Sequence, residues 1–254
     1  MPELGLRATD GALGDVRVGV DVTAVTDVAK SVALFGDRYV ERLFTKQEIA
    51  SCGHGPGAAA SLAARFAAKE AVLKVLEPHG ARPQWRDIEV VRRSNGACRI
   101  RLHDRAASLA ARRGTGRMSV SLSHESGIAL AVVVAVCDRP AKKACPGAPE
   151  TSPHDRSNQH PRSTSMSKTD ELTQRIRGVL AEHGRLPVHV ERLSDDDDLF
   201  QAGMTSHASV NVMLALEDAF DVEFPEAMLR KSTFSSISAL RRALGALETM
   251  EVPA

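Results

Sequence analysis

A chain of 254 residues with 43% hydrophobic side chains carries enough apolar material for one large core or two small ones, which excludes disorder throughout. Its 33 basic and 32 acidic residues nearly cancel, so the total points to neither a nucleic-acid binder nor an acidic tail. The balance is uneven along the chain, however: residues 1–140 carry a net +5, 141–167 a net +2 and 168–254 a net −6. Two such halves attract each other or each seek an opposite partner.

Cys52, Cys98, Cys137 and Cys145 form no C-x-x-C pair and no zinc-like spacing, so free thiols in a reducing compartment are expected. The opening MPELGLRATDGALGDVR has no apolar stretch of signal-peptide length, and the longest apolar run, 128–136, is about half of a membrane helix. The expectation is a soluble, cytoplasmic protein with no membrane partner.

Residues 1–15 read as an N-terminal extension. Val16, Val18, Val20 and Val22 then alternate with Arg17, Gly19, Asp21 and Thr23, the pattern of a half-buried strand with Asp21 on the face opposite the valines. Thr45-Lys-Gln-Glu48 has capping-box spacing and opens a short helix before the glycines of 53–57. A long helix follows at about 57–77, stopped by Pro78 and Gly80. Two alternating runs flank Ser94-Asn95-Gly96, a strong hairpin signal. After a helix near 104–113, MSVSLSH and IALAVVVAV read as two strands around a turn at Glu125 to Gly127. Strand, helices, hairpin, helix, hairpin is the order of an α+β domain spanning 16–138.

From 139 to 167 the chain has five prolines and no Val, Ile, Leu or Phe, too little apolar surface to offset the entropy of ordering. A flexible linker is expected, with a reach on the order of 30 Å; Met166-Ser-Lys at its end looks like a former start codon and suggests a gene fusion. The second domain, 168–248, is all-α. Leu172, Ile176, Val179 and Leu180 recur at helical spacing, as do Val210, Met213, Leu214 and Leu216, and Ile237, Leu240 and Leu244. An irregular loop over 184–204 separates the first two helices, and 249–254 is a tail.

The long helix holds the most informative residues. Leu62, Phe66, Leu73 and Leu76 form one stripe, with Lys69 and Glu70 on or beside it. A charge on an apolar face is paired, hydrated or bound to something. Lys74 follows Glu70 at i+4, so a plain surface ion pair also accounts for these two residues.

Gly19-Val-Asp21 on a strand, Phe44-Thr45-x-x-Glu48, the helical run Arg65-Phe-Ala-Ala-Lys69-Glu70-Ala-Val-Leu-Lys74, and Ser121-Leu-Ser123-His124 together resemble the holo-acyl-carrier-protein synthases, small 4′-phosphopantetheinyl transferases, over about Val16 to Val136. The resemblance implies their fold, a Mg²⁺-dependent transfer of 4′-phosphopantetheine from coenzyme A to a carrier-protein serine with release of 3′,5′-ADP, and a homotrimer with sites between protomers. It implies Asp21 and Glu70 as metal ligands, Glu70 and Lys74 as catalytic groups, and Lys69, Lys74, Ser123 and His124 as coenzyme A contacts. The chemistry is consistent with these residue types: Mg²⁺ takes a few carboxylates with phosphate and water, and an ammonium stabilises charge developing on phosphate. Glu70 is also placed to orient or deprotonate the attacking serine. His124 has a plain alternative as a turn histidine.

Other arrangements fail as chemistry. Ser123 and His124 are strand neighbours pointing to opposite faces, so they are no nucleophile–base pair. Gly53-His-Gly-Pro-Gly57 lacks a phosphate-loop lysine and serine in register. Arg92, Arg93, Arg99, Arg101, Arg112 and Arg113 have no interleaved aromatics, which argues against nucleic acid and for a phosphate, an acidic partner or water.

Asp198-Leu-Phe-Gln-Ala-Gly-Met-Thr205-Ser206-His207, ending a loop and opening a helix, resembles an acyl or peptidyl carrier protein over about 168–248, with Ser206 matching the serine that takes the 4′-phosphopantetheine arm. A capping serine is the plain reading of the same position. From Glu191 to Glu226 the chain has ten acidic residues and one basic, an acidic face suited to Lys30, Arg38 and Arg42 as docking residues. Two positions depart from the family: Thr205 stands where aspartate usually precedes the serine, and Asp27 stands where the matching arginine is found. The paired change suggests a transferase matched to this carrier. The GMTSHASV and EDAFDVEFP runs look closer to carriers charged with amino acids than to fatty-acid carriers, which implies a carrier-loading ligase or synthase as a further partner. The leading reading is thus a transferase fused to its own carrier substrate. A catalytically inert module that docks the carrier, and a carrier domain that is never modified, are the alternatives.

Overall fold

The computed structural model describes residues 15–55, 57–78, 82–137 and 168–250. The expected linker at 139–167, and the expected extension up to residue 14, lie outside them. The described chain divides into two compact units, one built from 15–28, 45–78 and 85–137, the other from 29–44, 82–84 and 168–250.

In the first unit the alternating valines form β1 (Asp15–Ala24), which pairs antiparallel with β5 (Ile128–Cys137), and β5 pairs with β4 (Thr115–Glu125), giving the order β1-β5-β4. Ser126 and Gly127 close the β4–β5 hairpin at φ 51° and 78°, the two left-handed residues that a tight hairpin turn requires. A second pair, β2 (Ile88–Arg92) and β3 (Cys98–Leu102), flanks the Asn-Gly turn, where Gly96 takes φ 83° and Arg93 N donates to Ala97 O at 2.8 Å. The amphipathic α5 (Asp104–Arg112) joins the two sheets in sequence.

The faces of the three-stranded sheet are distributed in an unexpected way. Asp21 does lie opposite the valines, but its own face, with Ala129, Ala131, Val133 and Ala135, is the covered one. Val16, Val18, Val20 and Val22 are 44–58% exposed, with Ile128, Leu130, Val134 and Val136 beside them. The reason is the close approach of α4 (Ala58–Leu76): a Cβ on Gly19 would stand 2.0 Å from Ala71 O, so α4 can seat only on the glycine side of β1. Every residue of α4 from Leu62 to Leu73 is buried, as are Val75 and Leu76, with Lys74 the exception. The expected stripe is therefore part of a helix enclosed all round.

Two charges sit inside this core. Thr45 caps α3 (Lys46–Cys52) with the expected capping box, and the Glu48 carboxylate accepts from Thr45 N at 2.9 Å, Val90 N at 3.0 Å and Lys69 Nζ at 2.8 Å. Lys69 Nζ also donates to Trp85 O at 2.9 Å and to Ile88 O, and both side chains of the pair have 0% exposure. Burial pulls the Lys69 ammonium below its ordinary range, with Glu48 opposing the shift. One ion pair thus ties α3, α4 and β2 together.

The second unit joins α6 (Lys168–His183), α7 (Ser206–Phe220) and α8 (Ile237–Met250) to the end of α1 (Val25–Phe35) and to α2 (Asp37–Leu43). Ile176, Leu180, Leu199, Leu216, Phe224, Ile237 and Leu240 form its core, all at 0% exposure. The expected irregular loop carries one 3₁₀ turn at Val190–Arg192 and is pinned by Asp195. That carboxylate takes Arg177 at 2.6 Å and Arg241 at 2.9 Å, while Asp195 O accepts from Ser238 N at 2.8 Å. Partial burial raises its proton affinity, but the two guanidinium groups outweigh this and hold the carboxyl below its usual range.

Replacing Lys69 by Met leaves Glu48 buried without its ammonium, and unfolding of the first unit in urea is expected to lose about 3–5 kcal/mol, with part recovered in the Glu48→Gln, Lys69→Met double variant. For Asp195 the folded carboxyl is more acidic than the unfolded one, so its contribution is complete above about pH 4 and fades as pH falls further. Helical circular dichroism followed from pH 7 to pH 2 is expected to show this acid limb, and Asp195→Asn to flatten it.

Candidate active site and carrier attachment site

The order of contacts along β1 runs opposite to α4. Arg17 donates to Val75 O at 3.3 Å, Gly19 meets Ala71, and the next residue on the same face, Asp21, is about 7 Å further along the strand. The α4 side chain that meets Asp21 is Lys74. Lys74 closes the group: its ammonium donates to Val20 O at 2.6 Å and to Asp21 Oδ1 at 3.0 Å, and Thr23 Oγ1 donates to Asp21 Oδ2 at 3.4 Å. Glu70 is 8% exposed, the Asp21 side chain 18% and that of Lys74 52%, so the group grades from interior to solvent. Glu70 is thus a buried residue, unlike the carboxylate of a plain surface ion pair.

Among the described residues no three His, Cys, Asp or Glu side chains are grouped to hold a metal ion by themselves. Mg²⁺ takes a few carboxylates when phosphate and water supply the remaining oxygens, and Asp21 on β1 and Glu70 on α4 are donors of that type.

Three of the expected contacts need individual treatment. Lys69 departs from the expectation that it faces phosphate: its ammonium is committed to Glu48 and two carbonyls inside the core. The sequence signal that separates it from Lys74 is the Thr45–Glu48 capping box, whose carboxylate needs a buried cation. His124 lies in the row Thr23–Ala129–His124, on the same side of the sheet as Asp21, whereas Ser123 lies in the row Val22–Leu130–Ser123 on the valine side. Both are exposed at the hairpin end. Of the arginines, Arg101 is paired with Glu89 at 3.1 Å, and Arg93, Arg99 and Arg117 line an open cavity of about 440 Å³ with Ile100, Leu102 and Met118.

In the second unit Asp198 Oδ1 accepts from Phe200 N at 2.8 Å and Gln201 N at 3.2 Å, a side-chain turn that starts the motif. Leu199 and Met204 are buried, and Gly203, at φ 111°, lies where a Cβ would meet Pro187 Cδ at 2.6 Å. Thr205 is the N-cap of α7, its side chain accepting from Ala208 N at 3.0 Å. Capping therefore falls to Thr205, and the half-buried Ser206 is the first residue of the helix proper. A phosphodiester on its hydroxyl sits where backbone N–H groups and the helix dipole favour an anion.

Of the expected docking residues, α2 brings two onto α7. Glu217 takes Arg38 at 3.2 Å and also Arg42, while Asp218 pairs with Arg38 and Glu223 lies 3.7 Å from Arg42. Asp218 first, and Glu217 after it, raise the proton affinity of Arg38 against the opposing effect of burial. Lys30 is exposed on α1. Sequence reasoning missed Tyr39, which sits between these arginines and hydrogen-bonds His207 at 2.7 Å; the visible signal was a tyrosine directly after the first arginine of Arg-Tyr-x-x-Arg.

Comparison with known proteins matches the two parts separately. Residues 17–133 match the model of the 4′-phosphopantetheinyl transferase superfamily, and 174–244 that of the phosphopantetheine attachment site. The chain is 43% identical over 121 residues to the holo-[acyl-carrier-protein] synthase of Moorella thermoacetica, covering 47% of this chain and 92% of the relative. To the synthase of Salinispora arenicola it is 41% identical over 121 residues, 47% and 97% of the two chains. To the aminoacyl carrier protein of Agrobacterium fabrum it is 48% identical over 65 residues, 26% and 78% of the two. With identity at this level over nine-tenths or more of two synthases, the chain belongs to the holo-[acyl-carrier-protein] synthases of the 4′-phosphopantetheinyl transferase superfamily and carries a phosphopantetheine attachment domain behind them.

Proposed function

We propose that the chain transfers 4′-phosphopantetheine from coenzyme A to a carrier serine, with Ser206, its own or that of another copy, as the acceptor. The observation that carries this reading is the pairing of Asp21 on β1 with Lys74 of α4, 3.0 Å apart. Ser206 Oγ forms a bond to the phosphorus that bears pantetheine, the diphosphate bridge breaks, and 3′,5′-ADP leaves with the bridging oxygen. The serine proton passes to Glu70, directly or through water. Lys74, half exposed beside Asp21, meets the phosphate oxygens as their charge grows. Mg²⁺, held by Asp21 and Glu70, would neutralise the diphosphate. His124, on the Asp21 side of the sheet, is the remaining phosphate contact, and Ser123 belongs to the valine face. A docking module without catalysis would have no use for a buried Glu70 on the helix whose Lys74 pairs with Asp21.

The similarity to an aminoacyl carrier protein supports an amino acid as the cargo, loaded by a ligase that activates it. No helix among the described residues is long and apolar enough to cross a membrane, and Cys52, Cys98 and Cys137 are free thiols; both support a cytoplasmic setting. The open valine face supports assembly through the transferase part, since a contiguous apolar patch of this kind marks an interaction surface. A homotrimer follows the family resemblance, and it would bring the Ser123 face of one copy against another.

Intact mass of the apo chain, before and after coenzyme A and Mg²⁺, is expected to rise by one phosphopantetheine, with no rise in Ser206→Ala or Glu70→Ala. No rise in the parent would overturn transfer to this carrier. Light scattering is expected to give three chains per particle for the parent and one for Val18→Asp; a monomeric parent would sink the assembly.

A further inference from the structure

The ion pairs between α2 and α7 read only an acidic surface, because a guanidinium accepts any carboxylate within reach. Between them lies a contact of another kind. The Tyr39 hydroxyl and His207 Nε2 are 2.7 Å apart, and the rings meet edge to face with centroids 5.8 Å apart at 71°. Tyr39 has 0% exposure and His207 7%, in contrast to Arg38 and Asp218, which are about half exposed. Position adds to chemistry. His207 follows the acceptor serine directly, whereas Glu217 is ten residues further along α7, about 15 Å away. The arginines therefore hold the far half of the helix, and Tyr39 holds the end that carries Ser206.

We propose that Tyr39 and His207 form the specificity couple of this enzyme, by which α2 reads the side chain next to the acceptor serine and selects carriers with an imidazole there. The proposal rests on the transferase reading and on α2–α7 contact as the productive docking. A hydrogen bond between two buried side chains discriminates sharply, since a carrier with an aliphatic residue at this position loses that bond at a place already taken from water. Exposed ion pairs are worth little and are screened by salt, so they suit encounter and orientation more than selection. The couple also supplies what the Thr205 and Asp27 departures remove, a recognition element beside the serine that is not an aspartate–arginine pair.

A tether hides weakened docking by raising local concentration, so the test is made between full-length chains. The parent chain, first driven to its holo form so that its own serine is filled, acts as the enzyme. Apo chains carrying Glu70→Ala act as acceptors, and intact mass gives their initial rate of modification with coenzyme A and Mg²⁺. Tyr39→Phe in the enzyme, or His207→Leu in the acceptor, is expected to slow this rate about tenfold. The two together are expected to be no slower than the worse single change, and His207→Gln, which keeps a hydrogen-bonding group, to retain more rate than His207→Leu. Tyr39→Phe removes one oxygen and leaves the ring, so it tests the bond without emptying the core. A parental rate with Tyr39→Phe, or losses that simply multiply, would overturn the couple while the parent still modifies its acceptor. No modification by the parent at all would instead overturn the reading on which the couple rests.

Discussion

How closely β1 can lie on α4 decides the rest of the first unit. With Ala71 O 2.0 Å from where a Gly19 Cβ would stand, only glycine permits the approach, and the approach fixes three things at once. It selects which face of the sheet is covered, it turns the valines outward, and it delivers Asp21 to Lys74. A larger residue at position 19 would separate strand from helix by more than an ångström, and a site built from side chains of both does not survive such a gap. The Gly-Val-Asp motif is therefore a backbone requirement followed two residues later by a chemical one.

Adjacent residues of α4 show how differently one helix uses its charges. Lys69 is buried and fully engaged with Glu48 and two carbonyls, Glu70 is buried next to the site, and Lys74 is half exposed at its mouth. Such a buried pair is weak evidence for net stability, because desolvation cancels much of the attraction. Its value here is positional: an ammonium with defined acceptors from α3, β2 and the Trp85 turn fixes the rotation of α4 about its own axis. That rotation is what points Lys74 toward β1.

The elements themselves were legible because their signals are local. Alternation marked β1, Asn-Gly marked the β2–β3 turn, and the Thr45–Glu48 box marked the start of α3, each depending on residues within a few positions of one another. Faces were less legible. Alternation shows that one side of β1 differs from the other and not which side is covered, since that depends on a helix some fifty residues away. Lys69 was misassigned for the same reason: neighbouring lysines on a helix look alike until the distant Glu48 is in place. Ser206 could be singled out through its flanking pattern, but that Thr205 is the N-cap of α7 required the Thr205–Ala208 bond to be seen. Arg38 and Arg42 could be read from charge, which acts at long range and needs no register, whereas the Tyr39–His207 bond needs both side chains at one point and leaves no compositional trace.

This contrast bears on why enzyme and carrier are found in one chain. Covalent connection raises the local concentration of the carrier to roughly the millimolar range, so the docking surface need not supply much affinity. Contacts between α2 and α7 divide accordingly. The exposed Arg38–Asp218 pair is of the kind that contributes little at physiological salt, whereas Glu217 is buried and held by two arginines and by Phe224 N at 3.0 Å. A weak, charge-guided surface lets a modified carrier leave, which it must do if the arm is to visit a loading enzyme and later partners. Tight docking would trap the holo carrier on the transferase that made it. The exposed ion pairs on α7 fit a substrate that must be recognised and then released, and the proposed Tyr39–His207 couple would concentrate that recognition beside Ser206.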